Sequence, residues 1–487
     1  MRVIFATSEV SPIAKTGGLG DVCGSLPKAL AALGHDVTVF MPFYRQAKEW
    51  FDRNDVQPEQ LTPPVRIDWA NWAAEATFFR STLPGSDVPL ILAANDYFFD
   101  REQIYSGYGG IDDFIHRYTF FCRAVVTGCE LMDIAPDVLH AHDWHTALLP
   151  VYLHSGLRAS DQFRGTRSVY TIHNLNYQGI ADPPAFSLTG LHARYWSGDA
   201  IEHFGRLNPM KGGILFADQV TTVSPNYARE IQTAEHGAGL DGVLRHVAYK
   251  FRGILNGIDV DEWDPASDAN LEANYETGKL HGKTVSKRML AREAGLKFKA
   301  RTPMLAVVSR LVEQKGFQLL IPIFTKLLRA GAQAIVLGSG ERQYEEAFER
   351  IGTEHHDACR VWIGFDNELA HRIYAGADLL LMPSMYEPCG LNQMYALRYG
   401  TLPVVRLTGG LADTVIPYDG TNRDEADGFG FRHLSSDELY FATWAGMLTQ
   451  KDARTWKVLQ RNGMEQDFSW DRSAREYDEV YRLATGT

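Results

Sequence analysis

Cysteine is scarce in this sequence. Five occur in 487 residues (23, 122, 129, 359 and 389), an odd number with no Cys-x-x-Cys. That excludes a disulfide scaffold and a thioredoxin-like redox motif, and it points to a reduced, cytoplasmic protein. Long apolar runs are also missing. No window approaches about 18 uninterrupted apolar residues, so no membrane span is expected. The N-terminus, Met-Arg-Val-Ile-Phe-Ala-Thr, lacks the apolar core of a signal peptide and the Ser/Arg-rich character of a plastid leader. Positive charge is in deficit: 48 Lys and Arg stand against 60 Asp and Glu, a net charge of −12. Nothing in that balance favours nucleic acid or an acidic membrane face. A phosphate-bearing ligand must then be held by a few local cations and backbone amides.

What is present is ordinary for a globular protein: 45% hydrophobic and 22% charged residues. The length exceeds one ordinary core, so two domains are expected. Short β-rich apolar runs at Arg2–Thr7, Asp36–Pro42, Pro89–Ala93, Asp137–His142 and Ser168–His173 read as buried strands. Helical patterns such as Gly20–Leu33 and Phe114–Met132 lie between them. The alternation predicts a mostly parallel sheet covered on both faces.

The same grammar restarts near residue 303. Strands are expected at Pro303–Ser309, Ala332–Leu337, Val361–Phe365, Leu379–Pro383 and Pro403–Leu407, with helices at Gly316–Ala330 and Glu341–Ile351. Residues 258–300 are polar and show no sustained strand pattern, and the hinge is placed just after Asn256-Gly257. The expected organisation is an N-terminal domain at 1–256 and a second domain at 257–461. An amphipathic C-terminal helix at 462–487 is expected to pack back on the first domain. Two doubly wound domains facing each other would enclose a deep cleft at the carboxyl ends of their strands, where ligands bind in such sheets.

Lys15-Thr-Gly-Gly-Leu-Gly-Asp-Val22 follows the first strand and opens a helix. Its glycines let backbone N–H groups approach a phosphate, the helix N-terminus adds a favourable field, and Lys15 supplies a cation. It is neither a P-loop nor a dinucleotide fingerprint. A tight turn with a surface lysine is the plainer alternative. Part of it, Thr16-Gly-Gly-Leu-Gly-Asp21, is echoed by Thr408-Gly-Gly-Leu-Ala-Asp413, one copy in each half.

Arg310 and Lys315 lie just past the strand Pro303–Ser309, where two cations could stabilise the charge of a departing diphosphate. A solvated basic turn is the alternative. Tyr386-Glu-Pro-Cys-Gly-Leu-Asn392 precedes a helix, so amides at Cys389, Gly390 and Leu391 could donate to sugar hydroxyls and phosphate, while Glu387 accepts from hydroxyls. Glu387 could instead serve only the helix start, and Cys389 could be a small packing residue. His173, at a strand end, could be a general base or a satisfied buried histidine.

The run His140-Ala-His-Asp-Trp-His145 looks like a zinc site, with His140 and His142 on one strand face. It resembles the pattern of metallo-β-lactamase-type hydrolases, but Asp143 stands one residue early and no further ligand cluster follows. No metal is assigned. Asp259-Val-Asp261 is read as polar linker.

Seven segments in order carry a resemblance to bacterial glycogen synthases and plant starch synthases over nearly the whole chain. They are Lys15–Val22, His140–His145, Thr171-Ile-His-Asn174, Leu255-Asn-Gly-Ile-Asp259, Ser309-Arg-Leu-Val-Glu-Gln-Lys-Gly316, Glu387-Pro-Cys-Gly-Leu-Asn-Gln393 and Thr408–Asp413. The resemblance implies an α/β fold of GT-B type: two Rossmann-like doubly wound domains, glucan mainly on the first and nucleotide sugar mainly on the second. It implies retaining transfer of glucose from ADP-glucose to an α-1,4-glucan, with no cofactor and no metal. By the same resemblance Lys15, Asp143, His173, Arg310, Lys315 and Glu387 are catalytic.

Gly17, Gly18, Asp21, His145, Asn256, Phe365, Cys389, Gly390, Leu391, Asn392 and Thr408 are then substrate-binding residues. The main chain of His173 faces the anomeric carbon, Asp143 lies by the reacting sugar, and Phe365 stands where the family has an adenine-stacking aromatic, usually Tyr. The wider retaining pattern has a second Glu eight residues after Glu387. Here that position is Tyr395, and bacterial glycogen synthases lack the Glu too. Rival readings are a UDP-glucose-dependent or other GT-B transferase, a His-cluster metallohydrolase, and a catalytically silent glucan-binding protein. A glucan phosphorylase would need a pyridoxal phosphate lysine signature, and none is found.

Overall fold

The computed structural model describes residues 1–105 and 110–487. The chain forms two compact units, Met1–Gly257 with Trp470–Thr487, and Ile258–Ser469.

In the first unit the strands are β1 (Arg2–Ala6), β2 (Asp36–Pro42), β3 (Glu59–Gln60), β4 (Val65–Trp69), β5 (Trp72–Thr82), β6 (Pro89–Ala94), β7 (Val138–His142), β8 (Arg167–Ile172), the small hairpin β9 (Glu202–His203) and β10 (Arg206–Leu207), β11 (Gln219–Thr222) and β12 (Phe251–Gly253). The main sheet runs β12-β11-β8-β7-β1-β2-β6-β5-β3, with β4 paired to β5. From β12 to β6 every pairing is parallel, and β5 joins antiparallel. β7 is buried at all five positions, its two histidines included, as a parallel strand covered on both faces is. The chain steps outward from β1 to β2 and β6, then returns to lay β7 on the other side of β1. The strand order therefore reverses between β1 and β7, the kind of place where such sheets bind ligands.

In the second unit the strands are β13 (Met304–Val308), β14 (Gln333–Gly338), β15 (Cys359–Ile363), β16 (Leu379–Met382), β17 (Leu402–Arg406) and β18 (Phe429–Phe431). They form an all-parallel sheet of order β15-β14-β13-β16-β17-β18. Its reversal lies between β13 and β16. One face packs under the helix Phe317–Arg329, whose Phe317, Leu320, Phe324 and Leu327 join Val307, Val336 and Leu381 in the core.

Two expectations are corrected. The boundary at 462 falls inside the helix Ala453–Met464, which buries Trp456 and Leu459 in the second core. The return to the first unit starts instead at Trp470, with the helix Trp470–Thr485. It is fastened by Ser473 Oγ donating to Leu255 O at 2.5 Å and by His35 Nε2 at 3.1 Å from Asp478. Residues 258–300 hold no strand, as expected, and contain the helix His281–Glu293 of the second unit. Its Lys283 is buried, with Nζ donating to the carbonyls of Tyr374, Ala375 and Tyr399 and to Thr401 Oγ1. Finally, the strand expected at Val361–Phe365 ends at Ile363. Gly364 follows at φ +147, and Phe365 is 84% exposed rather than packed in a core. Among the described residues no helix is long and apolar enough to cross a membrane.

Candidate functional site in each unit

In the first unit the functional segments gather at the carboxyl ends of β1 and β7. The loop after β1 is organised by a residue that carried no motif signal, Glu9. This buried carboxylate accepts from Thr16 N at 2.6 Å, Thr16 Oγ1 at 2.9 Å, Gly17 N at 3.2 Å and Tyr105 OH at 2.5 Å. Four donors on one buried carboxylate fix the loop as a unit. Gly17 then caps the helix Gly18–Ala32 in extended conformation, and nothing lies within 4 Å of a Cβ built there. Gly18 is exposed at the helix start. Gly20 has a different reason: a Cβ would meet that of Lys15 at 2.6 Å. Lys15 is half-exposed and pairs with Asp21, Nζ to Oδ1 2.5 Å. The structure thus joins two of the expected site residues to each other.

β7 delivers Asp143 at φ +52, a conformation uncommon for a residue with a side chain. The main chain is held there because Asp143 Oδ1 accepts from His173 N at 2.7 Å and Asn174 N at 3.3 Å. Burial pushes the carboxyl up to about 7, against the pull of those two amides. His173 lies in the bend just past β8. Its Nε2 is 3.0 Å from His142 Nδ1, and burial drives its imidazole down to about 3. The ring is therefore neutral at ordinary pH, with little basicity to offer a proton-abstraction step. His145 is likewise held at about 3, first by burial and then by the charges of Arg117 and His173. The ring of Tyr105 stacks on it at 5.0 Å, so Glu9, Tyr105 and His145 form one linked set. Asn256 is buried, and its Oδ1 has no donor among the described residues.

Within the histidine run, His140 has both ring nitrogens taken by protein partners. His140 Nδ1 meets Tyr481 OH at 2.8 Å, and its Nε2 meets Thr171 Oγ1 at 2.7 Å. Among the described residues no group of three or more His, Cys, Asp or Glu side chains is placed to hold a metal ion. Asp259 accepts from the amides of Asp261 and Glu262, a local turn.

In the second unit the site lies at the strand reversal. Leu311 N donates to Ser339 O beyond β14, which leads the chain past the end of β13. Arg310 is exposed there, and its guanidinium has no acceptor among the described residues. Lys315 ends a short 3-10 turn, with Nζ donating to Glu387 Oε2 at 2.6 Å. The same carboxylate oxygen accepts from Ser384 Oγ at 3.0 Å. Gly316 then has φ +75, and a Cβ there would lie 1.9 Å from Pro383 O. Only glycine lets the loop after β13 pass this close to the loop after β16.

The segment after β16 is braced by Arg406, another residue without a motif signal. It donates to Ser384 O at 2.8 Å and to the carbonyl of Met385. Gly410 N donates to Glu387 O at 3.0 Å, and a Cβ on Gly409 would stand 1.9 Å from that oxygen. The glycines after buried Thr408 are thus needed for close approach to the Glu387 segment. Gly390 adopts φ +75, and Leu391 caps the short helix Asn392–Arg398. Asn392 Nδ2 donates to Val308 O at 2.6 Å, two residues before Arg310. Cys389 is buried, and its carbonyl accepts from Gln393 Nε2. Tyr395 stacks on Trp263 at 3.9 Å, so the position of the wider family's second carboxylate is here a packing position. Phe365, beyond β15, is 84% exposed and touches none of the other expected residues among the described contacts.

The family model for the starch synthase catalytic domain matches residues 2–246, and that for glycosyl transferases group 1 matches residues 292–428. The chain is 43% identical to a glycogen synthase of Thermotoga maritima over 99% of each chain. It is 42% identical to glycogen synthase 2 of Geobacter sulfurreducens, over 100% of this chain and 99% of that one. Among solved structures, the catalytic domain of starch synthase IV from Arabidopsis thaliana, bound to ADP and acarbose, superposes with a TM-score of 0.91. It is 34% identical, over 100% of this chain and 99% of that one. A sucrose-phosphate synthase from Thermosynechococcus elongatus, 17% identical with a TM-score of 0.61 over 99% and 98% of the chains, shares the fold. With both family models matched in order and more than two-fifths identity to glycogen synthases from end to end, the chain belongs to the glycogen and starch synthase family of GT-B glycosyltransferases.

Proposed function

We propose that the chain moves glucose from ADP-glucose to the non-reducing end of an α-1,4-glucan with retention of configuration, using the side chains above in defined roles. The observation that carries this reading is the pairing of Lys315 with Glu387 beside the unpaired cation Arg310, at the strand reversal of the second sheet. A sugar-binding carboxylate and two cations at one strand end suit a sugar diphosphate. When the anomeric bond breaks, charge grows on the diphosphate, and Arg310 and Lys315 stabilise it more in the transition state than in the ground state. Lys315 leaves its partner oxygen on Glu387 to do so, which frees that carboxylate to accept from glucose hydroxyls. Amides at Cys389, Gly390 and Leu391, with Asn392 and Thr408, complete the donor pocket.

The first unit takes the acceptor. Asp143 and the main chain of His173 line the reacting sugar, and His145 borders the glucan. Lys15, released from Asp21, supplies a cation to phosphate with Gly17 and Gly18, and Asn256 approaches the donor glucose. The acceptor 4-hydroxyl attacks on the face that the phosphate leaves, and the phosphate takes its proton. The ADP and acarbose of the Arabidopsis relative support an adenine nucleotide and a saccharide as ligands. All five cysteines are free and buried, which supports a cytoplasmic setting. Incorporation of labelled glucose into glycogen, from ADP-glucose and from UDP-glucose, with and without EDTA, tests the reading. Preference for ADP-glucose, unaffected by EDTA, is expected. A strict divalent-ion requirement or preference for UDP-glucose would overturn it.

A further inference from the structure

What His173 can do for a substrate depends on which ring nitrogen carries its proton. The fold contains a neighbour that decides this. The ring of His142 packs against Phe5 and His140, whose centroids lie 4.1 Å from it and 4.9 Å from each other, so the three rings form one buried cluster. Its Nδ1 lies 3.0 Å from His173 Nε2. Burial holds both imidazoles well below their ordinary range. Both rings are then neutral, and a single proton occupies the bond between them.

Two arrangements satisfy that bond. If His173 donates, His142 must carry its own proton on Nε2. That nitrogen is fully buried and faces no hydrogen-bond partner among the described residues. If His142 donates from Nδ1, its Nε2 keeps only an unused lone pair. Orphaned buried N–H groups are rarer in folded proteins than unused acceptors, because a desolvated donor loses more. We propose that His142 is a positioning residue whose Nδ1–H donates to His173 Nε2 and thereby fixes His173 as its Nδ1–H tautomer.

The Nδ1 edge of His173 has no protein partner among the described residues. It therefore offers a hydrogen-bond donor to a ligand, where the opposite tautomer would offer an acceptor. A sugar hydroxyl or ring oxygen is the chemistry that accepts from such an edge. This consequence rests on the reading of His173 as a residue at the reacting sugar; the tautomer itself does not. His142 is in turn kept in place by His140, whose two nitrogens are spent on Tyr481 and Thr171.

The test uses the full-length enzyme with 15N-labelled histidine, the His173 signals being those lost in His173→Ala. Wild type is expected to show a protonated Nδ1 and an unprotonated Nε2 at His173 without any ligand. His142→Asn keeps an N–H donor near the Nδ1 position, so it should retain that pattern and most of kcat. His142→Phe removes the donor, so the unprotonated Nε2 of His173 should lose its hydrogen bond and its 15N signal should move downfield, with kcat falling by about tenfold or more and the KM for glycogen unchanged. A protonated Nε2 on His173 in wild type overturns the proposal even if neither variant folds. An Nε2 signal that does not move in folded His142→Phe overturns it as well. A lost bond that leaves kcat untouched would uphold the inference about His142 and show that the His173 ring does not meet the reacting sugar.

Discussion

Replacing Asp143 by asparagine should change how the stability of the first unit depends on pH. The carboxyl is fully enclosed, and desolvation raises it from an ordinary value of 3.8 to about 7. Between those limits the folded chain keeps a proton that the unfolded chain has already released. Stability therefore falls as pH rises through this window, and the loss is complete above about pH 7. At about 1.4 kcal/mol per pH unit, the carboxyl costs on the order of 4 kcal/mol of stability at pH 8 relative to pH 3. Asparagine keeps an Oδ1 acceptor for the amides of His173 and Asn174 and never ionises. Any fixed cost of the substitution is the same at every pH. The stability of Asp143→Asn minus that of wild type should thus grow by several kcal/mol from pH 4 to pH 8, read from urea midpoints of the first unit's transition. A difference that stays flat over that range would refute the assignment of a buried, proton-holding Asp143.

Three further substitutions separate loop order from chemistry. Glu9→Gln replaces a four-acceptor carboxylate with a group that must turn an N–H toward other donors, at about 1.5–3 kcal/mol for each stranded partner. Hydrogen exchange at the amides of Thr16 and Gly17 should speed up, and unchanged protection would contradict the bracing role. Gly316→Ala should destabilise the second unit by more than the ~1–2 kcal/mol of a left-handed alanine, because its Cβ also strikes Pro383 O. Gly331→Ala, at φ +100 with nothing within 4 Å, is the control; equal urea midpoints for the two would refute the steric argument. Phe365→Ala should raise the KM for ADP-glucose by the ~1–3 kcal/mol of a lost base stack and leave that for glycogen alone.

The sequence was most legible where the physics is local. Buried parallel strands appear as short, largely apolar runs, interrupted in β7 by His140 and His142, so β1, β7, β13 and β16 could be placed within a residue or two, and with them the loops that end at Asp143, Arg310 and Glu387. Order matching of seven short segments then carried the family. What stayed hidden depends on distant partners. Glu9 and Arg406 sit in no motif, and their importance comes only from the backbone groups that the fold sets against them. Trp456 and Leu459 belong to the second core, but amphipathic pattern cannot say which core a helix faces, so the return crossing was placed too early. Phe365 looked like the last residue of an apolar strand. Gly364 turns the chain before it, and a single glycine inside a run gave no warning of that.

The central claim is that Arg310 and Lys315 stabilise the charge of a departing nucleoside diphosphate. Its most direct test is glucose incorporation into glycogen by Arg310→Ala and Lys315→Met, each compared with wild type over a range of ADP-glucose. Each variant should lose on the order of 10²–10³ in kcat, as removal of a transition-state donor does, while the KM for glycogen and the fold remain as in wild type. If either variant keeps kcat within a factor of about two, the two cations do not meet that charge.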